Sequence, residues 1–163
     1  MPASMAAVTL RPLVPVDAQT IAAWGRDPEF RRAADWSEKG THRDRVSRLR
    51  SLIEDPPFDL LRLGVQHGGL LVGYVDLHGA RNVERELGFV IGDRSRWGRG
   101  LGFAAASAAC AYGFEELRLT SITAEVAAAN ERSVAILRRL GMREQGQMDS
   151  LGLRRFVLHR SGG

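Results

Sequence analysis

Three glycines at alternate positions, Gly98, Gly100 and Gly102, stand where a strand-like run meets an alanine-rich helical run. No other feature constrains the chain as strongly. The preceding segment, Glu86 to Ile91, alternates Leu87, Phe89 and Ile91 with Glu86, Gly88 and Val90, the period-two pattern of a strand with one apolar face. The following segment, Phe103 to Phe114, is dominated by alanine, the strongest helix former. Glycine lets backbone N–H groups approach a ligand closely, and a helix N-terminus carries partial positive charge. Arg94, Arg96 and Arg99 add bidentate donors. Strand, basic glycine loop and helix start together describe an anion site, most simply a pyrophosphate cradle.

The same residues exclude neighbouring classes of phosphate site. Lys39 is the only lysine and lies outside any G-x-x-x-x-G-K-S/T context, so no P-loop is present. A Schiff-base lysine would have to be that one residue, in a polar loop. A dinucleotide fingerprint G-x-G-x-x-G counted from Gly100 ends on Ala105, and the strands before it read as antiparallel. The histidines His42, His67, His78 and His159 are dispersed without ligand spacing, so no metal is expected.

With 163 residues, 44% of them hydrophobic, the chain can bury a full core, and a single domain over residues 1–163 is expected. Cys110 alone cannot close an intramolecular disulfide, which fits a reducing compartment. No apolar run approaches the ~20 residues of a membrane span, and Met1 to Leu10 lacks the pattern of a secretory signal. The cytoplasm is the expected location, with no membrane partner. The net charge of +4 is compatible with an anionic cofactor or a nucleic acid. Arg43, Arg45, Arg48 and Arg50, however, have no interleaved aromatic for stacking and read as a solvated helix face, which argues against nucleic acid.

In chain order, Val8 to Leu13 reads as a strand and Val16 to Trp24 as a helix ended by Gly25, Asp27 and Pro28. Glu29 to Gly40 is a short helix or loop. Thr41 to Asp44 resembles a capping box ahead of a helix with Val46, Leu49, Leu52 and Ile53 on its apolar face. Phe58 to His67 and Leu70 to Gly79 form a hairpin across Gly68-Gly69, extended to a meander by the Glu86 strand. A helix from Gly100 to about Leu117, a strand Ser121 to Val126 and a helix capped by Asn130 follow. That last helix carries the stripe Val134, Leu137 and Leu140, with Gly141 as its C-cap. Met142 to Asp149 and Leu153 to Arg160 close the chain as a hairpin.

R-W-G-R-G-L-G at 96–102, the long helix after it, and N-E-R-S-V-A-I-L-R-R-L-G-M from Asn130 to Met142 resemble the GNAT superfamily of acetyl-CoA-dependent N-acetyltransferases. The opening R-P-L and the strand E-L-G-F-V-I look most like its Rim-type branch, whose members resemble ribosomal-protein N-terminal acetyltransferases. The resemblance implies an α/β (α+β) GNAT fold: a mixed, mostly antiparallel sheet of six or seven strands, flanked by about four helices and splayed between the fourth and fifth strands. It further implies acetyl-CoA as co-substrate with no metal. A primary amine, on a peptide N-terminus or a small molecule, would attack directly in a ternary complex. A homodimer is compatible with it.

Carried onto this chain, the family pyrophosphate motif Q/R-x-x-G-x-G/A falls on Trp97, Gly100 and Gly102, with tryptophan replacing the first residue. Arg96, Gly98, Arg99 and Leu101 complete the implied cradle. Phe89, Val90 and Ile91 are the implied contacts of the pantetheine arm, with an N–H near Val90 or Ile91 polarising the thioester carbonyl. Asn130 matches a cofactor-contacting asparagine and reads equally as a helix cap. Many members place a tyrosine that protonates the departing thiolate where this chain has Leu137, so Ser133, one turn earlier, is the substitute donor and a cofactor contact. Glu86 is the first candidate to accept the amine proton, with Asp76 and Glu125 as alternatives. Trp36, Tyr74 and Asp76, with Trp24, are the candidate acceptor-binding residues. The adenosine 3′-phosphate is expected at Arg94, Arg96 and Arg99 or at Arg132, Arg138 and Arg139. The missing tyrosine and unassigned base support an alternative, a non-catalytic acyl-CoA or nucleic-acid binding module on the same fold.

Overall fold

Turn and cap chemistry divides the chain into twelve regular elements, which the computed structural model describes over residues 7–161. Met1 to Ala6, part of the stretch read for a secretory signal, lie outside the described residues. The elements are β1 (Thr9–Pro12), α1 (Asp17–Trp24), α2 (Pro28–Ala33), α3 (His42–Glu54), β2 (Leu60–His67), β3 (Leu70–His78) and β4 (Glu84–Ile91). After a 3-10 turn at Arg94–Arg96 come α4 (Leu101–Glu115), β5 (Ser121–Ala127), α5 (Glu131–Arg139), β6 (Arg143–Gln145) and β7 (Leu153–His159). The strands form one seven-stranded sheet in the order β1-β2-β3-β4-β5-β7-β6. All neighbours are antiparallel except β4 and β5, which are parallel. This is the mixed, mostly antiparallel sheet expected, with five helices among the described residues where about four were anticipated.

Local residues explain most boundaries. Thr41 and Asp44 form the anticipated capping box, Thr41 N–H donating to Asp44 Oδ2 at 2.8 Å and Asp44 N–H to Thr41 Oγ1 at 3.1 Å. Gly68 and Gly69 turn the β2–β3 hairpin with φ of +59° and +78°. Asp27 and Pro28, read as the stop of α1, instead start α2: the Asp27 carboxylate accepts from Glu29 N–H at 3.0 Å and Pro28 occupies the first helical turn. Two strands are shorter than expected. Phe58 is 88% exposed and precedes β2, and β6 stops at Gln145 because Gly146 turns the backbone with φ of +68°.

The core lies mainly between the sheet and α4. Val65, Val75, Leu77, Leu87, Ile122 and Phe156 meet Ala105, Ala106 and Ala109, whose small side chains let the helix lie close to the strands. Val134 and Leu137 bury α5 against the same core, each worth about 1.5–3 kcal/mol in apolar surface removed from water. On the opposite face α1 packs on β3, and α3 packs on α1. The apolar residues Val46, Leu49, Leu52 and Ile53 of α3 are only half-buried, so this helix is a peripheral layer.

Gly73 on β3 shows how tightly the strands carrying the site are fitted. A Cβ there would fall on the Val90 carbonyl oxygen, a backbone atom that cannot rotate away. Gly73→Ala is expected to cost about 3 kcal/mol, the upper range for overpacking. Gly68→Ala, where a Cβ meets nothing within 4 Å, should cost about 1 kcal/mol from its positive φ. Urea unfolding of the two variants measures the difference.

Candidate active site

β4 and β5 pair only from Glu84–Ser121 through Glu86–Thr123. Beyond that point β4 stays with β3 as far as the Gly73–Ile91 pair, while β5 stays with β7 as far as Ala127–Leu153. Among the described residues no pairing joins Leu87 to Ile91 with β5, which is the splay anticipated between the fourth and fifth strands. Phe89, Val90 and Ile91 lie along this separated edge and are half-buried. A separated strand edge is the feature that a ligand carrying its own amide groups can pair with.

The glycine run begins seven residues after that edge, at Gly98. Gly98 and Gly100 have φ of +77° and +81°, and a Cβ at either would meet nothing within 4 Å. The run is therefore open on its outer side. Gly100 is the N-cap of the 15-residue α4, and no side chain caps the helix. The first N–H groups of α4, beginning at Leu101, thus lack a side-chain acceptor, the arrangement that receives a phosphate oxygen. Gly102 differs from the other two. It lies in the helix, and a Cβ there would come within 3.0 Å of Ile136 Cδ1, so this glycine also sets the α4–α5 spacing.

Trp97, the departure from the family motif, links three parts of the site. Its Nε1–H donates to the Ile91 carbonyl at 2.9 Å, and the Arg132 guanidinium lies over its ring, 5.1 Å from the centroid. Arg94 pairs with Asp27, tying the loop to the α1–α2 turn. Arg96 and Arg99 make no ion pair among the described residues. Of the second arginine group, Arg138 stands 3.8 Å from Glu144, and Arg139 lies 3.9 Å from the Phe103 ring centroid.

Asn130 caps α5, its Oδ1 accepting from Ser133 N–H at 3.1 Å. That contact occupies the side-chain oxygen and leaves the amide nitrogen without a described partner. Ser133 is half-buried, and its hydroxyl is unpaired among the described residues. Leu137, where a tyrosine was sought, is 1% exposed in the core. Cys110 offers no alternative nucleophile, because burial pushes its thiol up to about 11.

Register places Tyr74, Asp76 and His78 of β3 beside Val90, Gly88 and Glu86 of β4, all on the face that α1 covers in part. Trp36 Nε1–H donates to the Tyr74 hydroxyl at 3.2 Å, and Phe30 packs edge-on against Trp36 with centroids 5.0 Å apart. Trp24 lies against Gly92, where any Cβ would overlap its ring. The expected acceptor residues Trp36, Tyr74 and Asp76 are therefore neighbours. Arg62 joins them, which sequence reasoning missed. Its guanidinium stacks 4.0 Å from the Tyr74 centroid and donates to both Asp76 oxygens, at 2.7 and 2.8 Å. Burial is the largest influence and opposes the Arg62 charge, but the Asp76 hydrogen bonds, together with the electrostatic attraction of Tyr74 and Asp76, leave the pKa raised. Burial likewise raises the Tyr74 pKa, so the hydroxyl stays protonated.

With both Asp76 oxygens held by Arg62, that carboxylate is poorly placed to take a proton from an acceptor. Glu86 has no hydrogen-bonded partner among the described residues. Partial desolvation, then repulsion from Glu125, raises its pKa above the ordinary glutamate value of 4.5. A raised carboxylate at the hinge of the splay is suited to proton acceptance.

Comparison with known proteins agrees with this geometry. The sequence profile of the acetyltransferase (GNAT) domain matches residues 7–143, and the chain belongs to that family. It is 34% identical over 89 residues to the protein named "Putative ribosomal N-acetyltransferase YdaF" of Bacillus subtilis strain 168. That match covers 53% of this chain and 48%, about half, of the relative. Among solved structures, a GNAT-family acetyltransferase from Bacillus anthracis superposes with a TM-score of 0.77 at 20% identity, over 93% of this chain and 94% of that one. A spermidine N-acetyltransferase from Vibrio cholerae, in complex with CoA and spermine, superposes at 0.79 and 21% identity, over 93% and 95% of the two chains. These two structures share the fold. No helix is long and apolar enough to cross a membrane, and no group of three or more potential metal ligands occurs among the described residues.

The Glu86 environment has a measurable consequence for stability. A carboxylate with a raised folded-state pKa opposes folding when ionised, and that cost is relieved as pH falls through the folded value. Glu86→Gln is expected to melt above wild type near about pH 8, with the gap closing towards about pH 4. Melting curves at the two pH values test the sign.

Proposed function

We propose that this protein transfers an acetyl group from acetyl-CoA to a primary amine, with acceptor attack in a ternary complex. The observation that carries this is the uncapped start of α4, with Gly98 and Gly100 open and in the left-handed region, at the end of a strand separated from its neighbour. Residues Trp97 to Gly102 would hold the pyrophosphate, with Arg96 and Arg99 nearby as unpaired cations. Phe89, Val90 and Ile91 would align the pantetheine arm along the separated edge. Asn130 would contact the cofactor through its amide nitrogen.

In the chemical step the acceptor nitrogen forms a bond to the thioester carbonyl carbon and the carbon–sulfur bond breaks. A β4 N–H near Val90 or Ile91 would stabilise charge on the carbonyl oxygen. Glu86, directly or through water, would take the proton that the amine must lose. The Ser133 hydroxyl would donate a hydrogen bond to the departing thiolate, in the role that Leu137 cannot fill. Trp36 and Tyr74 would form one wall of the acceptor site, with Asp76 acting through Arg62.

The acceptor class follows from the face on which Glu86 lies. Glu125 and Glu84 share that face with Arg155, which stands 3.9 Å from Glu84, and His78 stands 3.3 Å from Asp59. With Arg62 on that face neutralised by Asp76, the carboxylates Glu84, Glu86 and Glu125 outnumber Arg155, which favours an ammonium-bearing acceptor. Both a peptide N-terminus, in line with the name of the Bacillus subtilis relative, and a small amine, such as the spermine bound in the Vibrio cholerae protein, meet that requirement. A cytoplasmic location is part of the same proposal. The buried Leu137 favours the alternative of an acyl-CoA binding module without turnover.

Titration calorimetry with acetyl-CoA is expected to show binding by wild type and at least tenfold weaker binding by Gly100→Glu, which adds charge and backbone strain at the helix start. Equal affinity would place the cofactor elsewhere. Free-thiol release with a panel of N-terminal peptides and small amines should show turnover, reduced in Glu86→Gln. No turnover on any amine would favour the binding module.

A further inference from the structure

Arg132, Ile136 and Arg139 are spaced by four and three residues, so they share one face of α5. Each meets the glycine run or one of the rings that bracket it. Arg132 lies over Trp97, immediately before Gly98, and Arg139 lies over Phe103, immediately after Gly102. Between them Ile136 fills the space at Gly102. Neither arginine makes an ion pair or hydrogen bond with a described side chain, so ring stacking is the contact that fixes each guanidinium. The Trp97 ring is itself held at its edge by the hydrogen bond from Nε1–H to the Ile91 carbonyl.

The middle of the run has no such support. Nothing lies within 4 Å of a Cβ at Gly98 or Gly100, and glycine loses more backbone freedom on ordering than any other residue. A phosphate that binds this backbone must meet that ordering cost unless the two ends are already held. The stacked rings hold them.

We infer that the Arg132–Ile136–Arg139 stripe of α5 is a positioning element that keeps the glycine run in its phosphate-receiving conformation, acting through Trp97 and Phe103. The inference rests on the proposal that this run binds acetyl-CoA. In this role the arginines act on the loop and do not read the 3′-phosphate that was one expectation for them. Arg132 loses its effect when Trp97 is removed, and its loss penalises every cofactor that carries the pyrophosphate.

Affinity for acetyl-CoA and for 3′-dephospho-acetyl-CoA, with KM and kcat, tests this in wild type, Arg132→Ala, Arg132→Lys and Arg132→Ala in a Trp97→Leu background. Arg132→Ala should weaken both cofactors equally, by about tenfold, with the loss in KM and not in kcat. Arg132→Lys, which keeps a cation over the ring, should recover most of it. On the Trp97→Leu background the arginine substitution should add nothing. Arg139→Ala, acting through Phe103, gives the same readout where Arg132→Ala fails to fold. Undiminished affinity, a loss confined to the cofactor with its 3′-phosphate, or full additivity with Trp97→Leu overturns the positioning role. If wild type binds neither cofactor, the acetyl-CoA proposal fails and the positioning role with it. Wild-type binding with unaffected variants removes the positioning role alone.

Discussion

Among the described residues, three residue pairs, Glu84–Ser121 to Glu86–Thr123, make up the strand ladder between the two halves of the sheet. On one side β4 remains fully laddered to β3, and on the other β5 remains laddered to β7. Each half keeps its own antiparallel hydrogen bonds, so the separation of β4 from β5 leaves only the facing edges unmet. Those edges are where backbone donors and acceptors stand ready for an external partner. The placement of Glu86 at the last joined pair puts a carboxylate at the apex of the opening.

The surroundings of the opening are coupled by a few side chains. Trp97 fastens the loop to the end of β4, Arg94 fastens it to Asp27 at the start of α2, and the α5 arginines cover the rings at both ends of the glycine run. On the acceptor side, Arg62 and Asp76 form a half-buried ion pair beneath Tyr74. A charge in such a position is tolerable only when its partner is present, so the pair is a structural unit of the wall. With both oxygens held by Arg62, Asp76 is less available as a proton acceptor than Glu86 or Glu125.

Much of this was legible from local chemistry. The Thr41 capping box, the Gly68-Gly69 hairpin, the Asn130 cap and the glycine-rich start of α4 depend on residues within a few positions of one another, and each formed as read. Asp27-Pro28 was read as a stop because the same residue types end one helix and begin another. Arg62 was not legible for a sharper reason. A regular two-residue hairpin through Gly68-Gly69 would set Arg62 opposite Val75, on the face away from Asp76. An irregularity between Val65 and Gln66 shifts the register by one, and Arg62 comes to face Asp76.

The amino-acid sequence by itself determined the order of elements, the anion-receiving loop and the family, because periodicity, caps and glycine spacing act over short distances along the chain. The tertiary structure alone decided that Asp76 was paired with Arg62 while Glu86 was not, what the Trp97 ring was stacked against and that Leu137 faced the core. These outcomes depend on register and on the approach of α5 to α4. Both are set by packing between segments dozens of residues apart, and no local pattern encodes them.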